Sequence, residues 1–333
     1  MNLLSVAGLK KRFNLEAGFF ARFGSFVYAV NGLSFSIGRN ESYGLVGESG
    51  CGKTTAARLL VRMYEADEGA VTYRPGAGGP PEDVLRLKRA SLKRYREKVK
   101  YVFQDPARSL NPRMTVFEAL TAGYRWSDSW PGVKKAREEA AAILEETGLS
   151  AADLERRPME FSGGQRQRIS IARGLLLKPE LLICDEVVSA LDVSIQGQIL
   201  NLLLDLRARR AAGAGLSFLF ITHDLKVACY FCDRAGVMYR GMLVEEAPAA
   251  DLYEKGLHPY TRLLFASASY GAAAGQAGAD QAPAVQGEPG TASVAPAGCP
   301  FSARCPRKEA RCLAEVPPLR ELAPGRKVRC FGV

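Results

Sequence analysis

The sequence predicts an open, doubly wound α/β fold. Three observations carry that expectation. Apolar runs of strand length alternate with helical stretches along most of the chain. A glycine-rich stretch, Gly47-Glu48-Ser49-Gly50-Cys51-Gly52-Lys53-Thr54, fits the phosphate-binding pattern G-x-x-x-x-G-K-[ST] between a strand and a helix. A further apolar run, Leu181-Leu182-Ile183-Cys184-Asp185-Glu186, ends in two carboxylates, as a buried parallel strand does beside a ligand.

With 333 residues the chain can bury a sizeable core, and 47% apolar with 24% charged residues is ordinary for a soluble globular protein. No apolar run approaches the ~20 residues of a membrane span. Met1-Asn2-Leu3-Leu4-Ser5 shows neither the charged start nor the long apolar stretch of a signal peptide, so the chain reads as cytosolic. The net charge of +10 raises the question of nucleic acid. Much of it sits in the segment from Arg86 to Arg96, which reads as a solvated helix face without the interleaved aromatics that stack bases. The reading is therefore no direct nucleic-acid binding, and nearby acidic lipid headgroups account for the charge equally well.

Taken in order, residues 3–13 and 27–37 read as two strands. Phe13 closes the first and could stack an adenine ring or serve as a core aromatic. Tyr43-Gly44-Leu45-Val46 leads as a strand into the glycine-rich loop, and Thr54, Thr55 and the residues to Val61 lead out as a helix. Curled glycines turn successive N–H groups inward at phosphate oxygens, and the positive end of the helix dipole adds to that field. Lys53 is placed to reach the β/γ-phosphates and the Thr54 hydroxyl to ligate Mg²⁺. Glu68 to Tyr73 reads as another strand. Val99 to Phe103 is a strand halted at Pro106, with Gln104 at its end. From 112 to 158 the pattern turns helical, with Ala136, Ala140, Ile143 and Leu144 at helical spacing and Gly148 closing the run.

Ser162-Gly163-Gly164-Gln165 opens a second glycine-rich helix N-terminus, with Ser162 as its cap. At the Leu181–Glu186 strand end, Asp185 should hold Mg²⁺ and Glu186 should polarise a water for attack on a γ-phosphate. Ser189-Ala190-Leu191-Asp192 follows. Phe218 to Ile221 is a strand ending at His223, on the same sheet edge. Cys229 and Cys232 form a C-x-x-C within a helix, without a partner pair, and read as core packing. Residues 271–298 lack large apolar side chains and read as a linker. Cys299, Cys305, Cys312 and Cys330 crowd the remaining tail.

The order Gly47–Thr54, Gln104, Ser162–Gln165, Asp185-Glu186, Ser189–Asp192 and His223 resembles the Walker A, Q-loop, signature, Walker B, D-loop and H-loop motifs of the ATP-binding-cassette ATPases. The resemblance covers roughly residues 3–270. Val102-Phe103-Gln104-Asp105-Pro106, the stretch from Ser109 to Val116, Leu257-His258-Pro259-Tyr260-Thr261 and the cysteine tail are similar to the dipeptide/oligopeptide importer branch, and most to its second ATPase subunit. That branch also contains importers of nickel complexes and glutathione. One departure is Val187-Val188, where the family usually has Pro-Thr.

The resemblance implies a P-loop NTPase core with an antiparallel β subdomain, a helical subdomain at about 107–160, and a small Cys-rich extension. The implied domains are a nucleotide-binding domain at 1–270, a linker at 271–298 and the extension at 299–333. It implies that ATP is sandwiched between Gly47–Thr55 of one subunit and Ser162–Gln165 with Asp192 of a sister subunit docked head to tail. Gln104, Glu186 and His223 are the implied catalytic residues, and Thr54, Gln104 and Asp185 the implied Mg²⁺ ligands. The implied partners are two transmembrane permeases and an extracytoplasmic peptide-binding protein, with the ATPase peripheral on the cytoplasmic face of the membrane. The alternative is a soluble cassette acting on nucleic acid or ribosomes, which would show a long coiled-coil insertion or a tandem cassette.

For the four tail cysteines a cubane cluster and structural zinc both satisfy four thiolates. The spacing Cys-x5-Cys-x6-Cys-x17-Cys lacks the tight pair usual for zinc and, with the resemblance, points to [4Fe–4S]. The linker suggests a tail separated from the ATP site, with a structural or regulatory role.

Overall fold

The computed structural model describes residues 2–14, 26–76, 78–211, 213, 215–273 and 297–333. The strands in chain order are β1 (Asn2–Asn14), β2 (Phe26–Gly38), β3 (Ser42–Val46), β4 (Glu68–Tyr73), β5 (Glu82–Asp83) and β6 (Val99–Val102). They continue with β7 (Leu181–Asp185), β8 (Ser217–Thr222), β9 (Arg234–Tyr239), β10 (Met242–Pro248), β11 (Arg320–Ala323) and β12 (Arg326–Val328). The chain divides into two compact units. One comprises Gly38–Glu41 and Arg86–Phe220; the other comprises Asn2–Ile37, Ser42–Leu85 and Ile221–Val333.

The second of these holds the expected antiparallel β subdomain, in the order β2-β1-β4-β5. β1 and β4 pair antiparallel, with Leu4 opposite Tyr73 and Val6 opposite Val71. All four of these side chains are buried, so the apolar pattern fixes the register. The same unit contains the strands β11-β12-β10-β9-β3 in that order. β3 is buried along its whole length and pairs parallel with β9, Leu45 opposite Gly236. β9 and β10 form a hairpin whose turn residues Arg240 and Gly241 both have positive φ, as tight hairpins with right-handed twist require. Neither β9, β10 nor the tail strands carry a distinctive sequence pattern, and the sequence reading did not anticipate them.

The tail is bound into this unit. β12 pairs antiparallel with β10, Glu245 opposite Val328. Phe301 is buried in a cluster with Val46, Val237, Tyr239, Val244 and Tyr260. Two fully buried carboxylates hold the junction. Glu246 pairs with Arg234 and, at 3.2 Å, with Lys327. Glu245 accepts hydrogen bonds from the backbone N–H groups of Leu257 and His258, both at 2.8 Å. A buried charge is tolerated when it is paired or hydrogen-bonded in this way. Of the linker expected at 271–298, residues 271–273 complete the helix Pro259–Ala273, and 274–296 lie outside the described residues.

The other unit carries β8-β7-β6. β6 and β7 pair parallel, Tyr101 opposite Ile183. Its helices follow the predicted pattern. Val133–Glu146 buries Ala136, Ala140, Ile143 and Leu144. Val116–Thr121 starts with a Thr115/Glu118 capping box. The basic helix Arg89–Lys98 buries only Tyr95 and leaves its cations toward solvent. Among the described residues no helix is long and apolar enough to cross a membrane.

His258 sits 1% exposed, its Nδ1 accepting from the Tyr260 N–H at 3.1 Å. Burial pushes its pKa down to about 4. The folded state therefore favours the neutral ring, and the unfolded chain binds the extra proton between pH 6.5 and 4. Stability is fully present above pH 6.5 and falls by up to about 3 kcal/mol as pH drops through 4. His258→Asn keeps an acceptor at the Nδ1 position without titrating. Urea unfolding midpoints measured against pH should show this acid loss in the wild type and a smaller one in the variant.

Candidate active site

In the unit that contains β3, the loop Gly47–Gly52 joins β3 to the helix Lys53–Leu60. Its shape depends on the absence of two side chains. A Cβ on Gly52, whose φ is +106°, would lie 1.9 Å from the Ala29 carbonyl oxygen, and one on Gly47 would lie 2.2 Å from that of Met238. The Cys51 carbonyl accepts from Gly241 N–H at 2.8 Å, which ties the loop to the β9–β10 turn. Lys53 is almost buried, and its Nζ donates to the carbonyls of Gly47 at 2.7 Å and Glu48 at 3.0 Å. Burial raises the Cys51 pKa, opposed by the Lys53 ammonium 3.8 Å away. Thr54 and Thr55 stand half-buried in the first turn of the helix.

Glu48 is held from two directions. Its carboxylate takes a two-pronged pair from Arg304, at 2.7 and 2.9 Å, and its N–H donates to the Tyr260 hydroxyl at 2.9 Å. This corrects the expectation of a tail set apart from the loop: separation by a linker along the chain did not mean separation in space. Sequence reasoning missed both residues. Tyr260 lies in the Leu257–Thr261 motif, the one signal that could have pointed to it.

His223 is exposed on the short segment after β8, ahead of Asp224, which caps the helix Leu225–Phe231. Cys229 is half-buried on that helix and Cys232, which follows it as the C-cap, is buried, in line with core packing. Phe13 is half-buried, edge-on to Tyr64 at 5.4 Å with Lys11 over its ring at 5.5 Å.

In the other unit, β7 delivers Asp185, 2% exposed, at its last position. The Tyr101 hydroxyl of β6 donates to Asp185 Oδ2, a contact that the parallel register creates and no sequence motif announces. Glu186, the next residue, adopts φ 49°, the left-handed region that costs a non-glycine residue roughly 1 kcal/mol. The following turn offsets this: Ser189 donates to the Glu186 carbonyl through its hydroxyl at 2.8 Å and its N–H at 3.2 Å. Val187 and Val188 are both buried, so packing holds a turn that the family usually makes with Pro-Thr. Gln104 Nε2 donates to Glu186 Oε2 at 2.8 Å. The structure thus brings Gln104, Asp185 and Glu186 together. Asp192 is exposed at the head of the helix Val193–Ala211.

Ser162 and Gln165 form a reciprocal capping box on the helix Gly163–Leu175. Ser162 Oγ accepts from Gln165 N–H at 3.3 Å and Gln165 Oε1 accepts from Ser162 N–H at 3.0 Å. The cap uses the third N–H of the helix, and the N–H groups of Gly163 and Gly164 point out along the axis by helical geometry. A Cβ on Gly164 would come within 2.7 Å of Ile195 Cγ2, so a larger residue there requires that side chain to shift.

In the tail, the Cys299, Cys305, Cys312 and Cys330 thiols lie within electrostatic reach of one another. Burial first, then the neighbouring thiols, raises the pKa of Cys299 and Cys330. Cys299 N–H donates to the Cys312 carbonyl at 2.8 Å. Among the described residues no group of His, Cys, Asp and Glu stands in metal-holding geometry.

A buried strand running through a glycine-rich loop into a helix, with a second strand ending in carboxylates, defines a P-loop NTPase fold. The ABC transporter family model matches residues 30–189, and that of the oligopeptide/dipeptide transporter C-terminal region matches 244–312. The oligopeptide transport ATP-binding protein AppF of Bacillus subtilis is 39% identical over 98% of this chain and 96% of its own length. The cbiO1 structure from Clostridium perfringens, part of the ABC transporter complex cbiONQ, has a TM-score of 0.63 at 23% identity, covering 77% of this chain and 92% of that one. The ATP-binding cassette MJ0796, in a post-hydrolysis state bound to ADP and Pi, has a TM-score of 0.61 at 24% identity, covering 74% and 98%. The chain belongs to the ABC transporter family of ATP-binding subunits and carries the C-terminal region of its oligopeptide/dipeptide branch.

Gly52→Ala places a methyl group against the Ala29 carbonyl in a left-handed conformation. It should lower the melting temperature and weaken Mg-ATP binding by more than about tenfold by titration calorimetry, since the clash sits inside the loop.

Proposed function

We propose that this chain binds and hydrolyses ATP to power import of di- and oligopeptides, working from the cytoplasmic face of the membrane with a sister ATPase and two transmembrane permeases. An extracytoplasmic peptide-binding protein delivers cargo to the same complex. The peptide branch rests on the C-terminal family match and on the name of the Bacillus subtilis relative. The observation that carries the chemistry is Gln104 hydrogen-bonded to Glu186 at 2.8 Å, next to the buried Asp185.

In this reading the N–H groups of Gly47–Thr54, apart from that of Glu48, which Tyr260 holds, cradle the phosphates, and Lys53 leaves its carbonyl partners to meet the β/γ-oxygens. The oxygen donors Thr54, Asp185 and Gln104 suit Mg²⁺, and Tyr101 fixes the orientation of the Asp185 carboxylate. An ion held there would supply neutralisation of the negative charge on the transferring phosphates. Glu186 takes a proton from the attacking water as its oxygen bonds to the γ-phosphorus and the bond to the leaving ADP breaks. Gln104 orients that carboxylate, and His223 faces the γ-phosphate from the end of β8. Phe13 supports the adenine. Within Ser162–Gln165 the outward N–H groups of Gly163 and Gly164, with Asp192, complete the sister subunit's site from the other side of the γ-phosphate.

A cavity of about 240 Å³ lined by Lys100, Tyr101, Phe103, Ser109, Tyr124 and Arg173 suits a permease segment, next to the Gln104 loop. Burial pushes Lys100 down to about 8 there, so a partner carbonyl or carboxylate is favoured.

Glu186→Gln should keep ATP binding and remove most hydrolysis. Phosphate release by the assembled transporter, with the sister subunit's equivalent residue also changed, measures it. Turnover above about a tenth of wild type would remove Glu186 from the general-base role.

The four tail thiols fit a [4Fe–4S] cluster by donor chemistry, with zinc as the competing ligand-compatible metal. The thiols lie near one another without standing in metal-holding geometry, so donor chemistry and spacing carry this reading, and loading would displace the protons that burial retains on Cys299 and Cys330. Anaerobic preparation should give a brown protein absorbing near 400 nm with about four irons per chain. Colourless protein with one zinc selects the other metal, and metal-free protein discards both.

A further inference from the structure

We propose that Arg304 is a positioning residue for the nucleotide loop, acting through Glu48. The proposal rests on the reading of Gly47–Thr54 as the phosphate site. The two guanidinium–carboxylate bonds, 2.7 and 2.9 Å, form a fork that a carboxylate accepts in one orientation only. The Arg304 side chain is 10% exposed and that of Glu48 is 25%, so the pair is shielded from water. The guanidinium also lies over the rings of Tyr239 and Phe301, each 5.8 Å from the centroid.

The peptide between Gly47 and Glu48 is pinned at both ends. Its N–H donates to the Tyr260 hydroxyl and its carbonyl accepts from Lys53. Tyr260 is fully buried and packed on Tyr239 at 4.6 Å and Phe301 at 5.4 Å, so its hydroxyl has little freedom to move. When Lys53 turns to phosphate, Tyr260 and the Arg304 fork are the contacts that keep this peptide plane in place. The charge matters as much as the geometry. Glu48 sits in a loop that must accept a polyanion, and Arg304 neutralises it; without the arginine a shielded carboxylate opposes the nucleotide.

The test uses the full-length chain, with Mg-ATP as the titrant in calorimetry, and KM and kcat from the assembled transporter. Arg304→Ala should weaken Mg-ATP binding by about tenfold and raise KM more than it lowers kcat. Arg304→Lys, which keeps the charge without the fork, should fall between that variant and wild type. Adding Glu48→Gln to Arg304→Ala should restore affinity to within about twofold of Glu48→Gln alone, because the unpaired charge is gone. Wild-type affinity in Arg304→Ala would overturn the proposal, even with a lowered melting temperature, since that assigns the pair to stability alone. Additive losses in the double variant would overturn it too. Should Arg304→Ala fail to fold, wild-type affinity in Arg304→Lys overturns it by itself. A wild-type chain that binds no nucleotide would remove the phosphate-site reading, a failure distinct from variants that bind normally.

Discussion

A loop that offers N–H groups to an anion spends few of them on its own carbonyls, here Cys51 N–H on Glu48 at 3.3 Å, so its shape is largely imposed from outside. That constraint organises the unit around β3. The carbonyls of Ala29 and Met238 approach so closely that only glycine fits at positions 52 and 47. The Gly241 N–H holds the Cys51 carbonyl, Tyr260 holds the Glu48 N–H, and Lys53 bridges two loop carbonyls. Each of these contacts comes from a different stretch of sequence. The loop is rigid because β3, β9, the helix after Pro259 and the tail all close on it.

The other unit solves a related problem with carboxylates. Asp185 is taken out of water at the end of a strand that is apolar up to that point, and Tyr101 supplies the hydrogen bond that makes its burial tolerable. Glu186 follows on a left-handed backbone and pairs with Gln104, so the adjacent carboxylates meet different partners. The buried Val187 and Val188 hold that turn by packing, and Ser189 closes it by hydrogen bonding.

Most of the strands and helices were legible because their signals are local. The apolar run before Gly47, the run ending at Asp185 and the 3.6-residue spacing from Ala136 to Leu144 each specify an element without outside help. Ser162 was legible as a cap for the same reason, whereas the reciprocal bond from Gln165 was not. What escaped the sequence depends on long-range register. Tyr101 meets Asp185 only because β6 and β7 pair as they do. Arg304 is one of 45 basic residues, and nothing adjacent marks it as the one that binds Glu48. The tail cysteines were visible as a group, whereas the joining of their neighbours to β10 was not, since Arg320–Ala323 and Arg326–Val328 are short and polar.

The Glu48–Arg304 pair spans 256 residues of chain. Synthesis runs from the N-terminus, so the nucleotide loop exists long before its arginine does. Closing so long a segment costs little more entropy than closing one half its length, and the pair forms readily once both ends are present. A chain that terminates early carries a glycine-rich loop with an acidic side chain at its mouth and no counter-ion. A product that stops before Arg304 therefore differs from the longer chain at the glycine-rich loop itself, 256 residues away.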